Sequence, residues 1–135
     1  MANEKILVVD DDRQIARLVE FNLQRHGYAV TTAHDGVQAL EKVAQDKPDL
    51  IILDIMMPRL DGWEVMNRLQ SSMETMNIPV IFLTAQTSDA AVAAGWRSGA
   101  SCYLTKPFNP DEMLLMVKRL LEGTGASTSS AQTGG

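Results

Sequence analysis

Four places in this chain set a chemically capable side chain just behind a short apolar run. Asp10, Asp11 and Asp12 follow Ile6–Val9, Asp54 follows Leu50–Leu53, and Thr84 follows Ile78–Leu83. Lys106 stands two residues beyond the run Ala100–Leu104. Several carboxylates gathered at one point repel one another unless a cation sits among them. Oxygen ligands with room for water suit Mg²⁺, a hard ion that keeps several of its waters, with Mn²⁺ an alternative for the same donors. A metal site alone has no use for Lys106 and Thr84. A lysine adds a point charge and a threonine a hydroxyl donor, which suit a visiting anion. Metal, lysine, hydroxyl and aspartate around one spot are the equipment for phosphoryl transfer onto Asp54. Its carboxylate would be the nucleophile and an aspartyl phosphate the product.

These residues meet only if the chain brings the ends of its apolar runs together. The runs, with Tyr28–Ala33 among them, are of strand length, and several are apolar at consecutive positions. That pattern belongs to strands covered on both faces, as in a parallel sheet flanked by helices. Between them lie helical spacings. Ile15, Leu18, Val19 and Leu23 mark a first helix, with Asp12 as N-cap and Gly27 as C′ residue. Val37, Leu40 and Val43 mark a second, with Pro48 beyond it; Val65, Met66 and Leu69 mark a third, opened by a turn at Asp61-Gly62. Ala90 to Arg97 gives a weaker fourth ending at Gly99, and Met113, Met116, Val117, Leu120 and Leu121 a fifth entered through Pro110. A βα unit repeated five times predicts an α/β fold with a parallel sheet and right-handed crossovers. In such sheets the working residues gather outside the carboxyl ends of the strands.

A length of 135 residues, 45% hydrophobic and 21% charged, suits one globular domain with one sizeable core. That domain is expected over residues 1–122. Gly123 to Gly135 carries no charge and no residue larger than Gln, so a flexible tail or linker stub is expected there. A net charge of −5 with scattered basic residues argues against direct nucleic-acid binding. The lone Cys102 excludes an intramolecular disulfide and a cysteine-rich metal site, and reads as a small, partly buried hydrophobe. Ile6–Val9 is too short for a signal-peptide core or a membrane span. A cytoplasmic protein is the expectation. His26 and His34 have no ligand-like spacing and read as surface residues.

ILVVDDD at 6–12, PDLIILDIMMPRLDGWE at 48–64, PVIFLTA at 79–85 and YLTKPF at 103–108 resemble the receiver domains of two-component response regulators. The resemblance runs from about Lys5 to Glu122. It implies a doubly wound (βα)5 fold of flavodoxin-like strand order 2-1-3-4-5, in a signalling domain that catalyses only its own phosphorylation and dephosphorylation. Asp11 would bind Mg²⁺ directly and Asp10 largely through water, with Asp54 and the backbone carbonyl of Met56 completing the metal's protein ligands. Asp54 would take the phosphoryl group. Thr84, the backbone N–H of Ala85 and Lys106 would hold it, and the Lys106–Pro107 bond would be cis. Partners implied are a sensor histidine kinase or a histidine phosphotransfer protein, and an effector reading the face of the fourth helix, fifth strand and fifth helix. On that face Thr84 and Tyr103 would form the switch, the ring turning into space that Thr84 vacates.

The chain departs from the pattern of relatives that dimerise on this face to drive DNA-binding domains. Where those read Ala-Asp-Asp-Tyr, this chain reads Ala100-Ser101-Cys102-Tyr103, and their basic residues fall at Val92 and Met116. The usual inter-subunit ion pairs cannot form, so a monomer or a weak phosphorylation-dependent dimer is expected. Trp96 either adds to an apolar patch or packs onto the core. Either a stand-alone receiver or a piece of a longer regulator fits. An alternative from another class is a small haloacid-dehalogenase-type phosphatase using Asp10-Asp11-Asp12. It lacks the Thr or Val expected at Gln14.

Overall fold

The computed structural model describes residues 3–55, 62–84 and 102–126. Five parallel strands form one sheet in the order β2-β1-β3-β4-β5. They are β1 (Lys5–Val9), β2 (Ala29–Ala33), β3 (Leu50–Asp54), β4 (Val80–Thr84) and β5 (Cys102–Thr105). The central strands are the continuous apolar runs, and every residue of β3 and β4 is buried. The two edge strands are only partly covered. Side chains alternate between two core layers, as the pleat requires. Leu7, Val9, Ile51, Leu53, Val80 and Phe82 belong to one layer, with α2 (Gly36–Gln45) and α3 (Gly62–Gln70) over it. Ile6, Val8, Leu50, Ile52, Ile81 and Leu83 belong to the other, under α1 (Arg13–Gln24) and the C-terminal helix (Pro110–Ala126).

Asp12 caps α1, accepting the N–H groups of Gln14 at 3.0 Å and Ile15 at 3.4 Å. At the other end Gly27 adopts φ +90, and the N–H groups of Gly27 and Tyr28 return to the carbonyls of Gln24 and Leu23. This is a Schellman closure, in which the left-handed residue suits glycine. One residue of the expected α1 face is displaced: Leu18 is 48% exposed, and Ala16 is buried beside Val19 and Leu23 instead. Leu18 lies about 100° round the helix from Val19, too far to share its stripe. The C-terminal helix runs past the expected boundary at Glu122, through Ala126. Continuing a formed helix costs about 1 kcal/mol at a glycine relative to alanine, far less than starting one. The fourth helix expected at Ala90–Arg97 lies outside the described residues, as do Asp61, Val92, Trp96, Ala100 and Ser101. Among the described residues, no helix is long and apolar enough to cross a membrane.

Gly62 does more than open α3. Its N–H donates to the Ile55 carbonyl at 2.9 Å. A Cβ there would stand 2.5 Å from the backbone oxygen of Asp54 and 2.7 Å from the Ile55 Cα. Both neighbours are main-chain atoms of the strand end and cannot rotate aside. Gly62→Ala is therefore expected to lower stability by about 1–3 kcal/mol, the usual cost of overpacking. Urea unfolding measures it, and an unchanged midpoint would mean that α3 shifts away freely.

Candidate functional site

The parallel register brings the ends of three central strands to one edge. Val9 pairs with Leu53, and Asp54 with Leu83, so Asp10, Asp54 and Thr84 emerge side by side. All three are buried. Asp11 is exposed at the mouth. The carboxylates of Asp10, Asp11 and Asp54 place one oxygen each within 4.8 Å of one another. Lys106 enters from the β5 side, and its N–H donates to the Thr84 carbonyl at 2.7 Å. Its Nζ lies 3.0 Å from Asp10 Oδ2 and 3.4 Å from Asp54 Oδ2. The Lys106–Pro107 peptide bond is cis.

The electrostatics are unbalanced. Burial alone would lower the pKa of the Lys106 ammonium, but the Asp10 and Asp54 carboxylates outweigh it and the net shift is upward from 10.5. The lysine is thus cationic at neutral pH, yet it faces three carboxylates. Asp10 Oδ1 accepts the Asp12 N–H at 2.9 Å, whereas the buried Oδ2 has no hydrogen-bond partner. Its close neighbour is the Lys106 Nζ, at the 3.0 Å of the ion pair. A buried carboxylate oxygen left this way is costly unless a further cation or donor reaches it. An oxygen-only donor set of this charge suits a hard divalent cation.

Sequence reasoning missed two contributors. His34, half-buried at the end of β2, has its Nδ1 3.3 Å from the Asp10 carbonyl. That proximity is visible only once β1 and β2 are known to pair. Gly62 closes on Asp54 from the other side, and an Asp-Gly dipeptide signals a turn without saying what packs against it. Met56 and Ala85 lie outside the described residues. Tyr103 is half-buried, edge-on to Phe82 at 6.3 Å and 86°. Phe82 in turn meets Trp63 edge-on at 5.1 Å. Cys102, at a position where the dimerising relatives carry an acid, is a partly buried free thiol whose pKa burial raises. Met116 is packed against the inner layer under α1.

A protein-family model described as the response regulator receiver domain matches residues 6–118. The alkaline phosphatase synthesis transcriptional regulatory protein PhoP of Bacillus subtilis is 43% identical over 130 residues, 96% of this chain and 53% of that protein. The response regulator MprA of Mycobacterium ulcerans is 47% identical over 120 residues, 89% of this chain and 51% of that one. The chain thus spans about half the length of these curated relatives. Chemotaxis protein CheY4 of Vibrio cholerae superposes with a TM-score of 0.83 at 37% identity, covering 88% of this chain and 99% of that one. The signal receiver domain of a signal transduction histidine kinase from Syntrophus aciditrophicus gives 0.86 at 32% identity, covering 94% and 96%. Strand order and family match agree, and the chain belongs to the receiver domain family of two-component response regulators.

Proposed function

We propose that this receiver accepts a phosphoryl group on Asp54 from the phosphohistidine of a sensor histidine kinase or histidine phosphotransfer protein, with Mg²⁺ as cofactor. The observation that carries the reading is the Lys106 ammonium held between Asp10 and Asp54, beside a buried carboxylate oxygen without a hydrogen bond. Asp10, Asp11 and Asp54, with the Met56 carbonyl, would hold the ion. When bound, it would supply positive charge to neutralise phosphoryl oxygens.

Asp54 is the nucleophile: one carboxylate oxygen forms the P–O bond as the P–N bond to histidine breaks, and the leaving nitrogen takes up a proton. Lys106 offers its charge to the transferred oxygens, its pairing with Asp54 loosened as that carboxylate becomes an acyl phosphate. Thr84, with the Ala85 N–H, donates to the same group. Tyr103 would answer by repacking, changing the face that an effector reads. The half-length match to longer regulators favours a receiver that works within a larger protein, its boundary following the C-terminal helix. Gln14, where a phosphatase of the dehalogenase type needs Thr or Val, is an exposed first-turn residue of α1.

Acetyl phosphate with Mg²⁺ is expected to add the mass of one phosphoryl group to the wild type and none to Asp54→Asn. Intact-mass spectrometry decides it, and equal labelling of the variant would remove Asp54 from the role. Lys106→Ala removes the only cation seen beside two buried carboxylates among the described residues. Without metal its melting temperature is expected to fall by roughly 4 °C or more, and Mg²⁺ to close most of that gap by mass action. Equal melting of variant and wild type without metal would show that the lysine does not balance the cluster. The same variant should still take up phosphate, with a smaller phosphorylation-induced change in partner binding; an undiminished change would contradict its signalling role.

A further inference from the structure

Asp10 is gripped from the end of the neighbouring strand through both of its backbone polar groups. The Asp10 N–H donates to the Ala33 carbonyl at 3.1 Å, one residue beyond the last β1–β2 pair, Val9 with Ala33. The Asp10 carbonyl meets His34 Nδ1 at 3.3 Å. A carbonyl can only accept, so Nδ1 must carry the proton. His34 is itself fixed: its N–H donates to Gln38 Oε1 at 3.0 Å, while Asp35 caps α2 by accepting the Gln38 N–H at 2.8 Å. The imidazole is therefore mounted on a rigid strand-to-helix corner rather than on a free loop.

The carboxylate that gains most from this grip is that of Asp11. Among the described residues no hydrogen bond or ion pair holds it, although it lies with Asp10 and Asp54 in the three-carboxylate cluster. Its direction is set by its backbone, and the preceding peptide plane is the one whose oxygen His34 bonds. We infer that His34 is a positioning residue for the acidic cluster, its Nδ1–H fixing the Asp10–Asp11 peptide so that Asp11 is presented toward a divalent cation. The inference rests on the reading of Asp10, Asp11 and Asp54 as the cation site. It adds a residue that touches neither cation nor phosphoryl group and acts through a main-chain oxygen.

Mn²⁺ titration of the metal-free full chain, followed by the electron paramagnetic resonance of the free ion, tests it. His34→Ala is expected to weaken Mn²⁺ binding by roughly tenfold, the lower end of what groups orienting metal ligands contribute. His34→Asn, whose amide can donate from nearly the same place, should recover most of the affinity. A folded alanine variant that binds Mn²⁺ within twofold of wild type, or an asparagine variant no better than alanine, would overturn the role. Absence of Mn²⁺ binding by the wild type would instead overturn the cation site and the positioning role together. Long-range proton–nitrogen NMR of the wild type is independent of folding in the variants: the neutral His34 ring should carry its proton on Nδ1. A bare Nδ1 would exclude the bond.

Discussion

One unbalanced charge cluster governs the carboxyl edge of this sheet. Asp10, Asp11 and Asp54 crowd together, and one ammonium group, Lys106, reaches two of them. Three carboxylates facing one ammonium group leave two formal negative charges unmatched. Stability must therefore come from elsewhere, and it comes from the two apolar layers on which β1, β3 and β4 are wholly buried except for Lys5 at the start. The same imbalance is what makes the site receptive to a cation. A cluster already neutral would have little to gain from one.

Strand order decides which side chain must be long. β1 and β3 are neighbours, so Asp10 and Asp54 need only short carboxylates to meet. The chain leaves β1 toward β2 and returns to β3 on its other side, so the crevice opens where ligands bind in open α/β sheets. The lysine comes from beyond β5, with β4 standing between it and β3. Only a side chain with a flexible apolar stem and a charge at its tip spans that gap while staying partly covered. Thr84 ends the intervening strand, its carbonyl already tied to the Lys106 N–H. Anchoring the lysine's own backbone to the middle strand limits how far its head can stray.

The sheet was legible in the sequence because consecutive apolar residues at Leu50–Leu53 and Val80–Leu83 have no other comfortable home. Asp12 as cap and Gly27 as left-handed closure were legible for local reasons, as each needs only its own turn. Leu18 is not placed correctly by the sequence pattern, because hydrophobicity counts in its favour while the angular position that excludes it needs the true centre of the stripe, set by Ala16. In the sequence His34 looks like a surface residue, because its partner is a main-chain oxygen 24 positions away, which no spacing rule reports. Gly62 looks like no more than a turn residue for the same kind of reason. The carboxylates and the lysine were legible as a set, since each follows an apolar run. Their distances were not, because register and the reach of Lys106 are properties of the assembled sheet.

Alternation along β4 also determines which layer lies closest to the site. Phe82 belongs to the layer under α2 and α3, Leu83 to the opposite one, and by the same period Thr84 returns to the side of Phe82. Tyr103, paired in register with Phe82, packs on that side too, as does Trp63 at the start of α3. Gly62, one residue before Trp63, is the residue pressed against the Asp54 carbonyl. Thr84 and the three aromatic side chains therefore share one face, and its α3 end abuts the candidate phosphoacceptor. The opposite face, with Cys102 and Leu104 over α1 and the C-terminal helix, is joined to the site through the Lys106 backbone rather than through packed side chains. A volume change beside Thr84 thus bears first on aromatic packing, where shape is least compressible, and only indirectly on the layer that holds the rest of the core.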